Sequence, residues 1–209
     1  MMINRRRVCG GEKLPYDAEI EYLESSGTQY IDTGIKGNTL FKYIISYRLT
    51  ERMGAPLFGM RNQATYSQGP VFSYTYGRQN DLVLYVNNSS HTNRDDNYFY
   101  GKNDLNEHEL VIDFKNNILT IDGNSAPVLR VPQAFETTYN MYLFSNNVAG
   151  TTSPPIKSRM YSYKVFNDNL LVQVLIPVRV GNVGYMYDKV SGQLFGNAGT
   201  GSFILGPDK

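Results

Sequence analysis

The chain has 209 residues with 20 basic against 19 acidic side chains, a net charge of +1, 41% hydrophobic residues, two histidines, one cysteine and no tryptophan. That length fits one generous domain, and near-neutral charge supplies no domain-wide basic field, so neither nucleic acid nor a membrane surface is expected as a partner. Cys9 alone cannot form an internal disulfide, and one thiol with two imidazoles cannot complete a soft-ligand structural zinc site, so stability has to come from packing.

Residues 1–17 carry a charge of +2 against −1 for the remainder, mostly through Arg5, Arg6 and Arg7, and read as a solvated basic N-terminal tail ahead of a domain over 18–209. The arginines are not followed by an apolar run, because Glu12, Lys13, Pro15, Asp17 and Glu19 interrupt it; a Sec signal is not expected. The expectation is a soluble protein, cytoplasmic on synthesis.

Over the whole chain, 17 Tyr, 10 Phe, 20 Asn and 19 Gly make an all-β composition, since aromatic residues suit a pleated surface while Asn and Gly suit the turns between strands. In chain order, strands are predicted at Ile20 to Glu24, Tyr30 to Thr33 and Leu40 to Leu49. In the last of these, Phe41, Tyr43, Ile45, Tyr47 and Leu49 share one face and Lys42, Ser46 and Arg48 the other. Pro56 to Met60, Val71 to Tyr76 and Leu82 to Val86 follow. Glu109 to Lys115 turns Leu110, Ile112 and Phe114 inward and Glu109, Asp113 and Lys115 outward. The pair Asn116-Asn117 fits a type I′ hairpin into Leu119 to Asp122, and Asp122-Gly123 closes that strand.

Thr137 to Ile156 is the longest stretch without a formal charge. Asn140, Asn146, Asn147, Gly150, Pro154 and Pro155 would be costly in lipid, so it is assigned a strand at Tyr139 to Ser145 and no membrane span. Arg159 to Phe166 and Leu170 to Val178 form a second hairpin around Asn167-Asp168-Asn169, and Val183 to Tyr187 and Phe203 to Leu205 complete the set. A dozen short strands without a long amphipathic helix predict a two-sheet antiparallel sandwich, and the absence of a fixed repeat argues against a propeller.

Four stretches add a resemblance. Glu21-Tyr22-Leu23-Glu24-Ser25-Ser26-Gly27-Thr28-Gln29-Tyr30-Ile31-Asp32-Thr33-Gly34 resembles the opening of laminin G-like, concanavalin A-like lectin/glucanase domains of gut-bacterial and phage-associated proteins. Arg159 to Phe166 followed by Leu171 to Pro177 resembles their closing hairpin. Gly184-Tyr185-Met186-Tyr187-Asp188, with Phe195-Gly196-Asn197-Ala198-Gly199-Thr200-Gly201, resembles their C-terminal signature. Glu107-His108-Glu109-Leu110 leading to Asp122-Gly123 is similar to a laminin G strand pair, so the resemblance spans residues 18 to 206. It implies a jelly-roll of two curved sheets whose concave face or rim holds glycans, and a phage or prophage setting with a virion-associated role.

Catalysis finds little support in the sequence. Glucanases of this fold take paired carboxylates from one strand as Glu-x-Asp-x-Glu, since alternate residues share a face about 7 Å apart. Glu107, Glu109 and Asp113 do not match that pattern and face away from the packed side. His108 reads as a structural donor on the packed face and His91 as solvated; no Gly-x-Ser-x-Gly elbow accompanies either. No cofactor is expected. Calcium on Asp95 and Asp96 is the metal alternative, although adjacent loop acids are ordinarily just hydrated.

Sugar recognition asks for an aromatic plate and planar amide or guanidinium groups. Arg61, Asn62, Tyr74, Tyr76, Arg78 and Asn146 supply these types on or beside predicted strands and are the candidate ligand-binding residues. The expected function is a non-catalytic module for a carbohydrate or glycosylated surface. A structural virion or surface-assembly protein, homo-oligomeric and acting through protein contacts, is the first alternative, and a divergent glycoside hydrolase the second.

Overall fold

Alternating side chains and frequent turn residues produce many short strands. A computed structural model describes residues 14–52, 55–62, 70–74, 81–86, 101–102, 104–125 and 134–209. Among them are β1 (Ala18–Glu19), β2 (Leu23–Ser26), β3 (Ile31–Asn38), β4 (Phe41–Leu49), β5 (Pro56–Arg61), β6 (Pro70–Tyr74), β7 (Asp81–Val86), β8 (Gly101–Lys102), β9 (Glu107–Asp113) and β10 (Ile118–Ile121). There follow β11 (Asn124–Ser125), β12 (Glu136–Leu143), β13 (Asn147–Val148), β14 (Thr151–Thr152), β15 (Lys157–Asn167), β16 (Leu170–Val180), β17 (Val183–Asp188), β18 (Leu194–Phe195) and β19 (Ile204–Leu205). No helix occurs among the described residues, and none is long and apolar enough to cross a membrane.

The strands form two sheets. The larger runs β11-β10-β9-β4-β15-β16-β17-β18, with β1 added to β16 and β2, carrying β19, added to β15. The smaller runs β14-β13-β5-β6-β7-β8, with β12 bridging β3 and β5. All pairings are antiparallel except β13 on β5.

The two sheets pack on each other through the faces that alternation predicts. Phe41, Tyr43, Ile45, Tyr47 and Leu49 of β4 are all buried, as are Leu110 and Ile112 of β9. Contacts cross between the layers: Tyr43 lies 6.5 Å from Phe58 of β5, centroid to centroid, and the Tyr163 hydroxyl donates to Met141 Sδ at 3.0 Å. Tyr43, Tyr47 and Tyr163 are among the largest fully buried side chains, and burial pushes the Tyr43 and Tyr163 phenols well above their usual range. Burying a large apolar side chain contributes about 1.5–3 kcal/mol, so these faces drive the collapse.

Turn chemistry agrees with two of the three predicted loops. Asp122 and Gly123 both have positive φ between the paired residues Ile121 and Asn124, as a two-residue type I′ turn requires. Asp168 and Asn169 do the same between Asn167 and Leu170. The Asn116-Asn117 pair does not. Here Asp113 pairs with Ile118, leaving a four-residue loop in which Asn117 has positive φ and Asn116 does not. The cause is Asp113, expected to face water but buried. Its carboxylate accepts the Asn116 N–H and side-chain amide, both at 2.9 Å, and so caps a wider turn.

The two chain ends close the larger sheet. β15 and β16 pair from Tyr163–Leu175 to the hairpin, then part company: Lys157 to Met160 take β2, and Val178 and Arg179 take β1. Tyr16 and Asp17, grouped with the tail by charge, belong to this closure. Asp17 N–H donates to the Arg179 carbonyl, its carboxylate accepts the Gly181 N–H at 2.7 Å, and Tyr16 packs edge-on against Tyr187. Residues 1–13 lie outside the described part of the chain.

Candidate functional site

The outward face of the larger sheet collects polar and aromatic side chains from four strands in one register row. Arg159 of β15 pairs with Glu24 of β2 on one side and with Arg48 of β4 on the other, and Arg48 pairs with Glu107 of β9. The order across the sheet is therefore carboxylate, guanidinium, guanidinium, carboxylate. Arg159 Nε donates to Glu24 at 2.6 Å, and its guanidinium carbon lies 4.1 Å from the centre of the Tyr22 ring. Burial acts to lower the Arg159 pKa, but the hydrogen bond and charge of Glu24, with Tyr22 and Tyr161, hold it above the ordinary value.

Tyr161 owes its position to a bulge. Met160 pairs with Tyr47 and Ser162 with Ser46, so Tyr161 is the extra residue on β15. The bulge lets Tyr161 and Ser162 remain half-buried while Met160 and Tyr163 are fully buried on either side. Tyr161 meets Tyr22 edge-on at 5.8 Å. Its phenol is raised chiefly by burial and then by the Glu107 charge, with Arg159 and Arg48 working the other way. Glu107 accepts the Ser46 hydroxyl at 3.2 Å and is otherwise exposed. Arg48 Nε donates to the Leu105 carbonyl at 2.6 Å, and its two terminal nitrogens have no partner among the described residues.

Behind this row, His108 is buried on the inner face, as expected. Nδ1 lies 2.8 Å from Asp122 and Nε2 2.8 Å from Asp104. The second Asp122 oxygen accepts the Glu109 N–H at 3.0 Å. The ring thus ties the start of β9 to the Asp122-Gly123 turn and to the 104–106 segment whose Leu105 carbonyl holds Arg48. Burial acts upward on the Asp104 carboxyl, but the Asn106 N–H and His108 outweigh it and hold it below the usual range.

Of the residues proposed from sequence, Arg61, Asn62 and Asn146 come together on the smaller sheet, where β13 runs beside the end of β5 with Asn147 on Met60 and Val148 on Arg61, while Tyr74 lies toward the other end of β5. Arg61 ends β5, half-buried, with its carbonyl accepting from Ala149. Asn62 follows, and its amide is spent on backbone: Nδ2 donates to the Glu136 carbonyl and Oδ1 accepts the Thr138 N–H at 2.7 Å, extending the β5–β12 pairing. Asn146 is only 2% exposed, and its Oδ1 is buried without a hydrogen-bond partner. Tyr74 is the last residue of β6 and pairs with Leu82. Tyr76 and Arg78 lie outside the described residues, as do His91, Asp95 and Asp96. No group of three or more His, Cys, Asp or Glu side chains suited to a metal occurs among the described residues.

Glu24, Arg48, Glu107, Arg159, Tyr22 and Tyr161 were not singled out together from sequence. Tyr22-x-Glu24 and Arg159-x-Tyr161 carry a faint period-two signal, but only strand pairing joins them.

The motifs behind the laminin G-like resemblance serve the architecture. Gln29 Oε1 accepts from the Ser26 N–H at 2.8 Å and from the Ser25 and Ser26 hydroxyls. Asn197 Oδ1 accepts the N–H groups of Tyr30 and Gly199, and Nδ2 donates to the Gly201 carbonyl. Gly199 lies so close to the Thr28 carbonyl that a Cβ would fall 2.1 Å from its oxygen. Asp188, 2% exposed, accepts the N–H groups of Val174, Val190 and Ser191 and the Ser191 hydroxyl. No family model matches the sequence, and no curated protein matches it either.

Proposed function

We propose that the chain is a non-catalytic carbohydrate-binding module of laminin G-like jelly-roll fold, taking its ligand on the outward face of the larger sheet around Tyr161, Arg48 and Glu107. One observation carries this: Arg48 and Arg159 stand directly opposite each other on neighbouring strands beside a half-buried tyrosine. Like charges opposed across strands destabilise a sheet. Arg48 spends Nε on the Leu105 carbonyl, but its terminal nitrogens have no partner among the described residues, and a ligand rich in hydroxyl groups can use them. The terminal nitrogens of Arg48 donate to adjacent hydroxyls, Glu107 accepts from them, and the Tyr161 ring receives the apolar face of a pyranose. Glu107 and Glu109 are exposed on this face, a setting better suited to binding hydroxyls than to the unequal environments an acid/base pair requires.

The phage or prophage setting implied by the resemblance would make the glycan one displayed on a cell surface. A glycan array probed with the full chain tests the proposal. Signal above background that falls at least tenfold in Tyr161→Ala and Arg48→Ala supports it. Loss in Tyr76→Ala but not in those two moves the site to the surroundings of Tyr76, and silence with a closed trimer in light scattering replaces it with a structural virion role.

A further inference from the structure

The molecule contains a second tyrosine–carboxylate couple, on the smaller sheet, to which no guanidinium is joined among the described residues. Asp32 of β3 pairs with Tyr142 of β12, and the Tyr142 ring stacks on Tyr30 with centroids 4.8 Å apart and planes tilted 34°. All three side chains are half-buried. Asp32 Oδ1 accepts the Gly34 N–H at 2.9 Å, while Oδ2 has no hydrogen-bond partner and the carboxylate makes no ion pair among the described residues. Burial first, then the Asp32 charge and Tyr30, raise the Tyr142 phenol. Gly34, exposed and with φ of 71°, leaves the approach to the carboxylate clear; a Cβ there would meet only Phe195, at 3.8 Å.

The larger sheet displays the completed version of this arrangement. There Tyr22 supplies the ring, Glu24 the carboxylate, and Arg159 the guanidinium that stacks on one and bonds the other. The planar, weakly hydrated guanidinium suits such a couple because it can lie flat on a ring while its edge meets a carboxylate. Lys42 over Phe166, at 5.8 Å, makes a looser contact.

We propose that Tyr30, Asp32 and Tyr142 form a binding site for a guanidinium group supplied from outside the chain. The site is independent of the glycan surface on the other sheet. Its occupant is an arginine side chain of a partner polypeptide or a small guanidinium compound, and the chemistry of capture is the same: ring stacking plus a charge-assisted hydrogen bond to Asp32 Oδ2.

The test is titration of the full, isotope-labelled chain with N-acetyl-arginine amide, followed by its amide NMR spectrum. Saturable shifts centred on Gly34, Ile35 and Tyr142 are expected. Binding should weaken at least fivefold with N-acetyl-citrulline amide, which keeps the shape and loses the charge. It should vanish in Asp32→Asn, a variant that retains an acceptor for the Gly34 N–H, and in Tyr142→Leu, with an unchanged spectrum elsewhere reporting an intact fold. A Gly-Gly-Arg-Gly-Gly peptide binding tenfold more tightly than the amide identifies a polypeptide source, and equal binding a small compound; either supports the site. No saturable shift, equal binding of the citrulline compound or of N-acetyl-lysine amide, or undiminished binding by Asp32→Asn overturns the proposal.

Discussion

The knot of hydrogen bonds around Gln29, Asp188 and Asn197 and the outward face of the larger sheet are built from the same residue types, yet they spend them differently. In the knot, Gln29, Asn197 and Asp188 have their polar atoms committed to backbone and hydroxyl groups of the chain, and Gly199 leaves no room for a side chain. On the outward face, among the described residues, Arg48 keeps two terminal nitrogens unused and Glu107 makes one bond to a serine. Polar side chains stabilise where every donor and acceptor is matched, and they are available for recognition where some remain unmatched.

The largest effect that would sharpen this contrast is expected in the knot. Asp188→Ala removes the acceptor for three backbone N–H groups and one hydroxyl in a buried setting, and should cost about 3 kcal/mol or more in urea unfolding. A loss under about 1 kcal/mol would mean that water replaces the carboxylate and that the knot is less committed than its geometry implies. Arg48→Ala, by contrast, should change unfolding stability by less than about 1 kcal/mol, because its partners are a partly exposed carbonyl and neighbouring charges, while the glycan binding proposed for this face should fall tenfold. Equal stability losses in the two variants would erase the distinction.

The smallest effect concerns acid. Asp104 has its carboxyl lowered in the folded state, so its contribution is present above the ordinary carboxylate value and is lost as pH falls through the folded value. Its side chain is a third exposed, which keeps the effect small. Asp104→Asn should therefore narrow the difference in stability between neutral and acid pH, measured as urea midpoints at pH 7 and pH 3. An unchanged difference would show that the Asp104–His108 contact contributes nothing measurable.

Much of the fold is readable from local pattern. The inward row of β4 follows from strict alternation at 41, 43, 45, 47 and 49, because side-chain direction in a strand has period two. Two type I′ turns follow from Asp-Gly and Asp-Asn, residues that tolerate positive φ. The Asn116-Asn117 loop escaped because Asp113, three residues earlier, caps the chain and widens the turn. The candidate site was less legible. Asn62 and Asn146 are the right residue types for sugar contacts, but one amide pairs with backbone and the other is buried.

By itself, then, the sequence determined the class of structure, most strand positions and which faces are apolar, since these depend on residues close together in the chain. Tertiary structure decided which polar groups are left over. Glu24, Arg48, Glu107 and Arg159 meet only through pairing of four strands, and Tyr43, Tyr47 and Tyr163 are hidden while Tyr22, Tyr30, Tyr142 and Tyr161 are partly accessible. Whether a tyrosine fills the core or meets a ligand depends on what lies across the sheet from it, and that neighbour can be more than a hundred residues away in the chain.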